Sequence, residues 1–147
     1  MNIIVFDTET IGVEKAFCYD LGYVVVNVES KTIIAKREFV IEQVWSNKAL
    51  FETAYYADKK PLYISKLRGR KARLTNWGSA IGAMIKDIKQ YEIKSAYAYN
   101  ADFDSRVFDF NADWYKTRNP IDYVQVFDIW GYTSEAVGSG LAEDYIA

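Results

Sequence analysis

The sequence predicts an α/β domain built on a mixed sheet of five strands, three antiparallel and then two parallel, flanked by helices. Three features point there. Apolar, β-branched runs joined by short polar connections fill residues 2–41. A stripe of apolar residues at helical spacing follows near residue 81, and two further apolar runs near residues 97 and 126 come after it.

Residues 2–6 predict the first strand. Residues 17–28, with Leu21 and the run Tyr23-Val24-Val25-Val26, predict the second, and residues 32–41 the third. The turn around Glu29-Ser30-Lys31 is short, which implies an antiparallel meander. Residues 42–77 read as a mixed stretch that begins as a helix near Glu42 and is interrupted at Lys60-Pro61, because a residue before proline disfavours helical backbone. Ser79 is a suitable cap for a helix through about Tyr91, with Ile81, Met84, Ile85 and Ile88 as its core stripe. The fourth strand is expected at 95–99, a helix carrying Asp104 follows, and the fifth strand centres on Val126. No repeat, low-complexity tract or linker divides the chain, so residues 1–147 read as one domain.

Half of the 147 residues are apolar and 24 are aromatic, enough to bury a core without staples. The single cysteine, Cys18, excludes an internal disulfide and suits a reducing compartment; it is expected as a small buried strand residue. The short apolar run before Asp7 is neither a signal peptide nor a membrane span, so a cytoplasmic protein with no membrane partner is expected.

The segment Phe6-Asp7-Thr8-Glu9-Thr10 carries the first chemical signal. Strand side chains alternate, so Asp7 and Glu9 point the same way, about 7 Å apart. Two carboxylates held this close repel unless one is protonated or a cation lies between them. Mg²⁺ accepts carboxylate oxygens and keeps room for water and phosphate, which makes phosphoryl transfer the candidate chemistry. The second signal is Asn100-Ala101-Asp102-Phe103-Asp104, where an apolar strand gives way to helical spacing. Asn100 and Asp102 are both good N-caps, and Asp104 then falls near the first helical turn, where the helix dipole favours an ionised carboxylate.

Asp7-Thr8-Glu9-Thr10 resembles the first motif of the DEDD superfamily of 3′→5′ exonucleases, the proofreading-exonuclease and ribonuclease-T-like group. Asn100-Ala101-Asp102-Phe103-Asp104 resembles its second motif, and Val126-Phe127-Asp128-Ile129 resembles the strand-to-helix junction that follows. The resemblance implies a ribonuclease H-like fold and hydrolysis of terminal phosphodiesters of DNA or RNA to nucleoside monophosphates, with single-stranded 3′ ends as the expected partner. It further implies that Asp7, Glu9 and Asp104 hold two Mg²⁺ or Mn²⁺ ions, that Thr8, Thr10, Asn100 and Phe103 lie against the terminal nucleotide, and that Glu9 also contacts the 3′-hydroxyl.

The last motif of that superfamily, a fourth carboxylate on a late helix preceded by His or Tyr, is not matched. The chain contains no His, and Tyr99 stands where relatives often have one. Tyr123 precedes Asp128 by five residues, but the intervening residues read as strand, which would put the two on opposite faces. Asp128, Glu143 and Asp144 remain as substitutes, and a C-terminally shortened chain is the expectation.

Lys66, Arg68, Arg70, Lys71 and Arg73 place five positive charges in eight residues, against 13 basic and 20 acidic residues in the rest of the chain. A basic segment on an acidic protein is either a solvated loop or a phosphate-binding element, and Gly69 suggests a flexible turn that orders on nucleic acid. Most of the aromatic residues, Trp45 and Trp77 among them, are expected in the core; Phe103 is the candidate for base stacking. Two other readings stay open. One is a non-catalytic nucleic-acid-binding module that has lost its last helix; the other is an unrelated metal-dependent phosphohydrolase acting on free nucleotides.

Overall fold

The computed structural model describes residues 1–12, 14–54 and 57–129. Its sheet has six strands in the order β4-β3-β2-β1-β5-β6. These are β1 (Asn2–Thr10), β2 (Cys18–Asn27), β3 (Thr32–Ile41), β4 (Arg73–Thr75), β5 (Ser95–Ala98) and β6 (Gln125–Asp128). β1, β2 and β3 form the expected antiparallel meander, and β5 and β6 run parallel to β1. The sixth strand corrects the expected count. β4 is three residues long and pairs in parallel with Phe39–Ile41 only, so it is too short to show any period of its own.

Among the described residues five α-helices flank the sheet: α1 (Glu42–Trp45), α2 (Lys48–Phe51), α3 (Lys60–Arg68), α4 (Trp77–Gln90) and α5 (Ala101–Tyr115). Pro61 lies in the first turn of α3, so Lys60-Pro61 starts a helix where an interruption was expected. Proline lacks the N–H that a first turn leaves unpaired anyway, and its fixed φ suits that position. α4 is capped three residues earlier than expected: the Asn76 side chain accepts from the Ser79 N–H at 2.8 Å.

The main core lies between one face of the sheet and α4 and α5. Ile4, Phe6, Leu21, Tyr23 and Val25 come from the strands, and the stripe Ile81, Met84, Ile85 and Ile88 is buried against them as its spacing implied. Each such side chain contributes about 1.5–3 kcal/mol through burial. Phe108 of α5 meets Phe6 edge to face at 5.4 Å, which seats α5 on the strand that carries Asp7 and Glu9. A second cluster of Tyr19, Val40, Val44, Phe51 and Tyr63 covers the opposite face of the sheet where α1 to α3 pack. Cys18 is fully buried, as expected. Among the described residues no helix is long and apolar enough to cross a membrane.

Candidate active site

β1 runs past its predicted end at Phe6 to Thr10, so the acidic pair sits within a strand. Ile4, Phe6 and Thr8 are buried toward α5, while Asp7 is exposed and Glu9 half-buried on the other face, as alternation requires. β5 pairs with β1 only over Ile3–Val5 and ends at Ala98, so the C-terminal part of β1 has no ladder partner on that side. The chain turns there into α5.

The turn is made by Asn100 in the left-handed conformation, φ 59° and ψ 57°, a region that asparagine tolerates better than most residues. Asn100 is the N-cap residue of α5, as expected, but its side chain makes no cap bond, and Asp102 lies within the helix. What holds the turn is Asp128, whose Oδ1 accepts from the Asn100 N–H at 3.1 Å. Asp128, considered above as a substitute ligand, therefore acts on the turn from the end of β6. Tyr123 is in a 3-10 turn (Pro120–Tyr123) at the opposite end of that strand, over Lys89, so it is no companion to Asp128. Glu143 and Asp144 lie outside the described residues.

Asp104 enters the first turns of α5 at 2 % exposure, and the Thr8 hydroxyl donates to its Oδ1. The Thr8 side chain is 4 % exposed and its hydroxyl is spent on Asp104. Burial is the largest influence on Asp104 and raises its pKa to about 7, opposed by the Thr8 hydrogen bond and assisted by the charges of Asp7 and Glu9. Burial and the neighbouring carboxylates therefore act against the helix dipole, which favours the ionised form. Asp7, although its side chain reaches solvent, is also raised by partial desolvation from the surrounding chain, with the Thr8 backbone N–H opposing. Glu9 is raised by burial and then by Asp7, while Lys59 pulls it down.

The charge of Asp7 thus acts on Glu9, and both act on Asp104; their donor set is oxygen only, the chemistry of a hard divalent cation. In donor chemistry the residues fit such an ion. Among the described residues, however, no three His, Cys, Asp or Glu side chains form a group that could hold a metal as they stand.

Asp20 is a member of this region that sequence reasoning missed. It faces Glu9 directly in the β1–β2 register, is 9 % exposed, and accepts from the Tyr63 hydroxyl at 2.8 Å. Burial, and next the charge of Glu38, raise its pKa to about 8; Tyr63 and Lys66 oppose this. Glu38 receives Lys66 at 3.2 Å through both carboxylate oxygens. Asp20 Oδ1 and the Tyr19 hydroxyl are buried with no hydrogen-bond partner. The available signal was one carboxylate inside the apolar run from Phe17 to Leu21.

The remaining candidates are placed as follows. Thr10 donates to the Gly12 carbonyl at 2.8 Å, and Phe103 is half-buried against the main core beneath the Arg106 guanidinium. Tyr99, Asp7, Gly22, Val5 and Val24 line a hollow of about 470 Å³. The basic segment is an ordered helix, turn and strand, not a loop: Lys66 and Arg68 end α3, Arg70 has φ 57° in the turn, and Arg73 opens β4. Lys66 is held by Glu38, whereas Arg70, Lys71 and Arg73 line a groove with Lys36, Arg37 and Lys86. Trp77 is fully buried and its indole N–H donates to Thr117, a core position as expected. No protein-family signature matches this chain, and no curated protein matches it.

Proposed function

We propose that the chain is a metal-dependent 3′→5′ exonuclease of ribonuclease H-like fold, working in the cytoplasm and releasing nucleoside monophosphates from single-stranded DNA or RNA ends. The observation that carries this is that Asp7 and Glu9 share one face at the end of β1 while Asp104, held by Thr8 from the other face, lies within electrostatic reach of both: the charge of Asp7 raises the pKa of Glu9, and the charges of Asp7 and Glu9 raise that of Asp104. Such acids are costly to keep together unless a cation joins them.

In this reading Asp7, Glu9 and Asp104 hold Mg²⁺ or Mn²⁺, which when bound supplies charge neutralisation at the scissile phosphate and an acidified water. Thr8 orients Asp104 through its hydroxyl. Asn100 and Asp128 fix the turn that delivers Asp104. Asp7 is open to solvent and Tyr99 lines the same hollow, which leaves room for a terminal nucleotide against an aromatic wall.

A second reading, a nucleic-acid-binding module without turnover, is favoured by the lack of a ready three-ligand group among the described residues. Incubation of an unlabelled oligonucleotide with Mn²⁺, followed by chromatography of the products, separates the two. The exonuclease reading expects nucleoside monophosphates that vanish with EDTA or with Glu9→Gln. Intact polymer in a salt-sensitive complex would overturn it in favour of the binding module.

A further inference from the structure

The groove at the β3–β4 edge extends the nucleic-acid reading, and the inference drawn from it rests on that reading. Arg70 and Lys71 come from the turn after α3, Arg73 from β4 and Lys86 from α4, while Lys36 and Arg37 come from the part of β3 that β4 leaves unpaired. Together they line a groove of about 370 Å³. Its two acids are already engaged: Asp87 accepts from Arg37 Nε at 3.1 Å and from the Tyr23 hydroxyl at 2.6 Å, and Glu38 accepts from Lys66. Lys36, Arg70, Lys71, Arg73 and Lys86 make no ion pair among the described residues.

Five unneutralised cations gathered from three elements and a turn, on a chain of net charge −2, concentrate positive potential in one place. Charges on a free edge strand also discourage edge-to-edge pairing. Lys36 and Arg37 would suffice for that; the convergence of Arg70, Lys71, Arg73 and Lys86 on the same groove needs another reason.

The groove connects with the acidic site. Lys36, Arg37 and Glu38 line both it and the hollow beside Asp7. In the register Gly22 lies between Glu38 and Asp7, so no side chain stands in the way on that face. A Cβ added at Gly22 would meet only the Arg37 carbonyl, at 3.9 Å. The ladder from Arg73 through Phe39 and Leu21 to Thr8 crosses three strand spacings, about 14 Å.

We propose that a nucleic-acid strand enters over the β3–β4 edge, its phosphates held by Arg70, Lys71, Arg73 and Lys86, and crosses the sheet at Gly22 to bring its end to Asp7. A strand shorter than this path gains nothing from the groove, so the preferred substrate is a polymer and not a free nucleotide.

The test is equilibrium binding of a fluorescent single-stranded oligonucleotide of about a dozen nucleotides to the whole chain in EDTA, where no turnover is needed. Lys71→Glu/Arg73→Glu/Lys86→Glu is compared with an equal charge change at exposed sites elsewhere, Lys31→Glu/Lys48→Glu/Lys94→Glu, with circular dichroism confirming both folds. The groove variant is expected to bind about tenfold or more weakly than the control, and its salt dependence to fall by about 0.7 per lost phosphate contact. Equal affinity of the two variants overturns the groove, as does wild-type protein that fails to bind. Groove-dependent binding without any hydrolysis by wild type in Mn²⁺ would sustain the groove while the exonuclease reading fails. Gly22→Val tests the path. Polymer cleavage is expected to drop while groove binding persists, and unchanged cleavage overturns the crossing.

Discussion

The Thr8 hydroxyl donates to the Asp104 carboxylate across the packing of α5 on β1, from the strand face opposite to Asp7 and Glu9. One strand therefore supplies two acids on one side and, from the residue between them, the group that holds the third.

Replacing Thr8 by Val removes that donor while nearly preserving volume. The Asp104 carboxyl then loses an interaction that lowers its pKa, so its titration is expected to move above its present value near 7. A buried acceptor left without its partner costs about 1–3 kcal/mol. Carboxyl NMR titration and urea denaturation measure the two effects, and an unchanged Asp104 titration would show that the hydroxyl does not hold it.

Asp104 also predicts a pH dependence in EDTA. Its folded pKa of about 7 lies above the unfolded value of about 3.9, so the folded protein binds more protons between the two. The contribution of this group to stability is greatest below the unfolded pKa and is lost as pH rises through the folded one. The loss is at most about 4 kcal/mol. Asp104→Asn should flatten the slope of stability against pH over that window in denaturant titrations; a slope identical to wild type would assign the dependence elsewhere.

Asp20, whose pKa is raised by burial and by the neighbouring Glu38, makes a prediction about the hydroxyl that holds it. Tyr63→Phe removes the hydroxyl that donates to it and should cost about 1–3 kcal/mol. In an Asp20→Asn background the same change should cost measurably less, since the pair acts as a unit. Additive losses in thermal unfolding would contradict that coupling.

On the core side, Asp87 is 4 % exposed and joins Tyr23 and Arg37. Asp87→Ala strands the Tyr23 hydroxyl and one guanidinium. Removing one partner of a buried pair costs about 3–5 kcal/mol, and the lower end applies because the Arg37 side chain is 43 % exposed. Arg37→Met leaves the Asp87 carboxylate buried with the Tyr23 hydroxyl alone and should cost at least as much in chemical denaturation, a loss of less than half being incompatible with this account.

Strands β1 to β3, the α4 stripe and the positions of Asp7, Glu9 and Asp104 were legible because local periodicity and turn chemistry act within a few residues. β4 was not, since Arg73–Thr75 becomes a strand only by pairing with Phe39–Ile41. Lys60-Pro61 was misread because proline interrupts a helix interior yet favours a first turn, and sequence alone did not say which applied. Asp20 was passed over because its raised pKa comes from burial and from Glu38 on a neighbouring strand, a relation set by register. Lys36 and Lys86 join Arg70, Lys71 and Arg73 through folding alone, so the charge count of residues 66–73 outlined only part of the groove.

The most direct measurement is the fate of a 5′-labelled single-stranded oligonucleotide in Mn²⁺, for wild type beside Asp7→Asn and Asp104→Ala. The account predicts a ladder shortening stepwise from the 3′ end with wild type and intact substrate with both variants. A ladder undiminished in either variant would contradict the assignment of these carboxylates, and intact substrate with all three proteins would contradict the exonuclease itself.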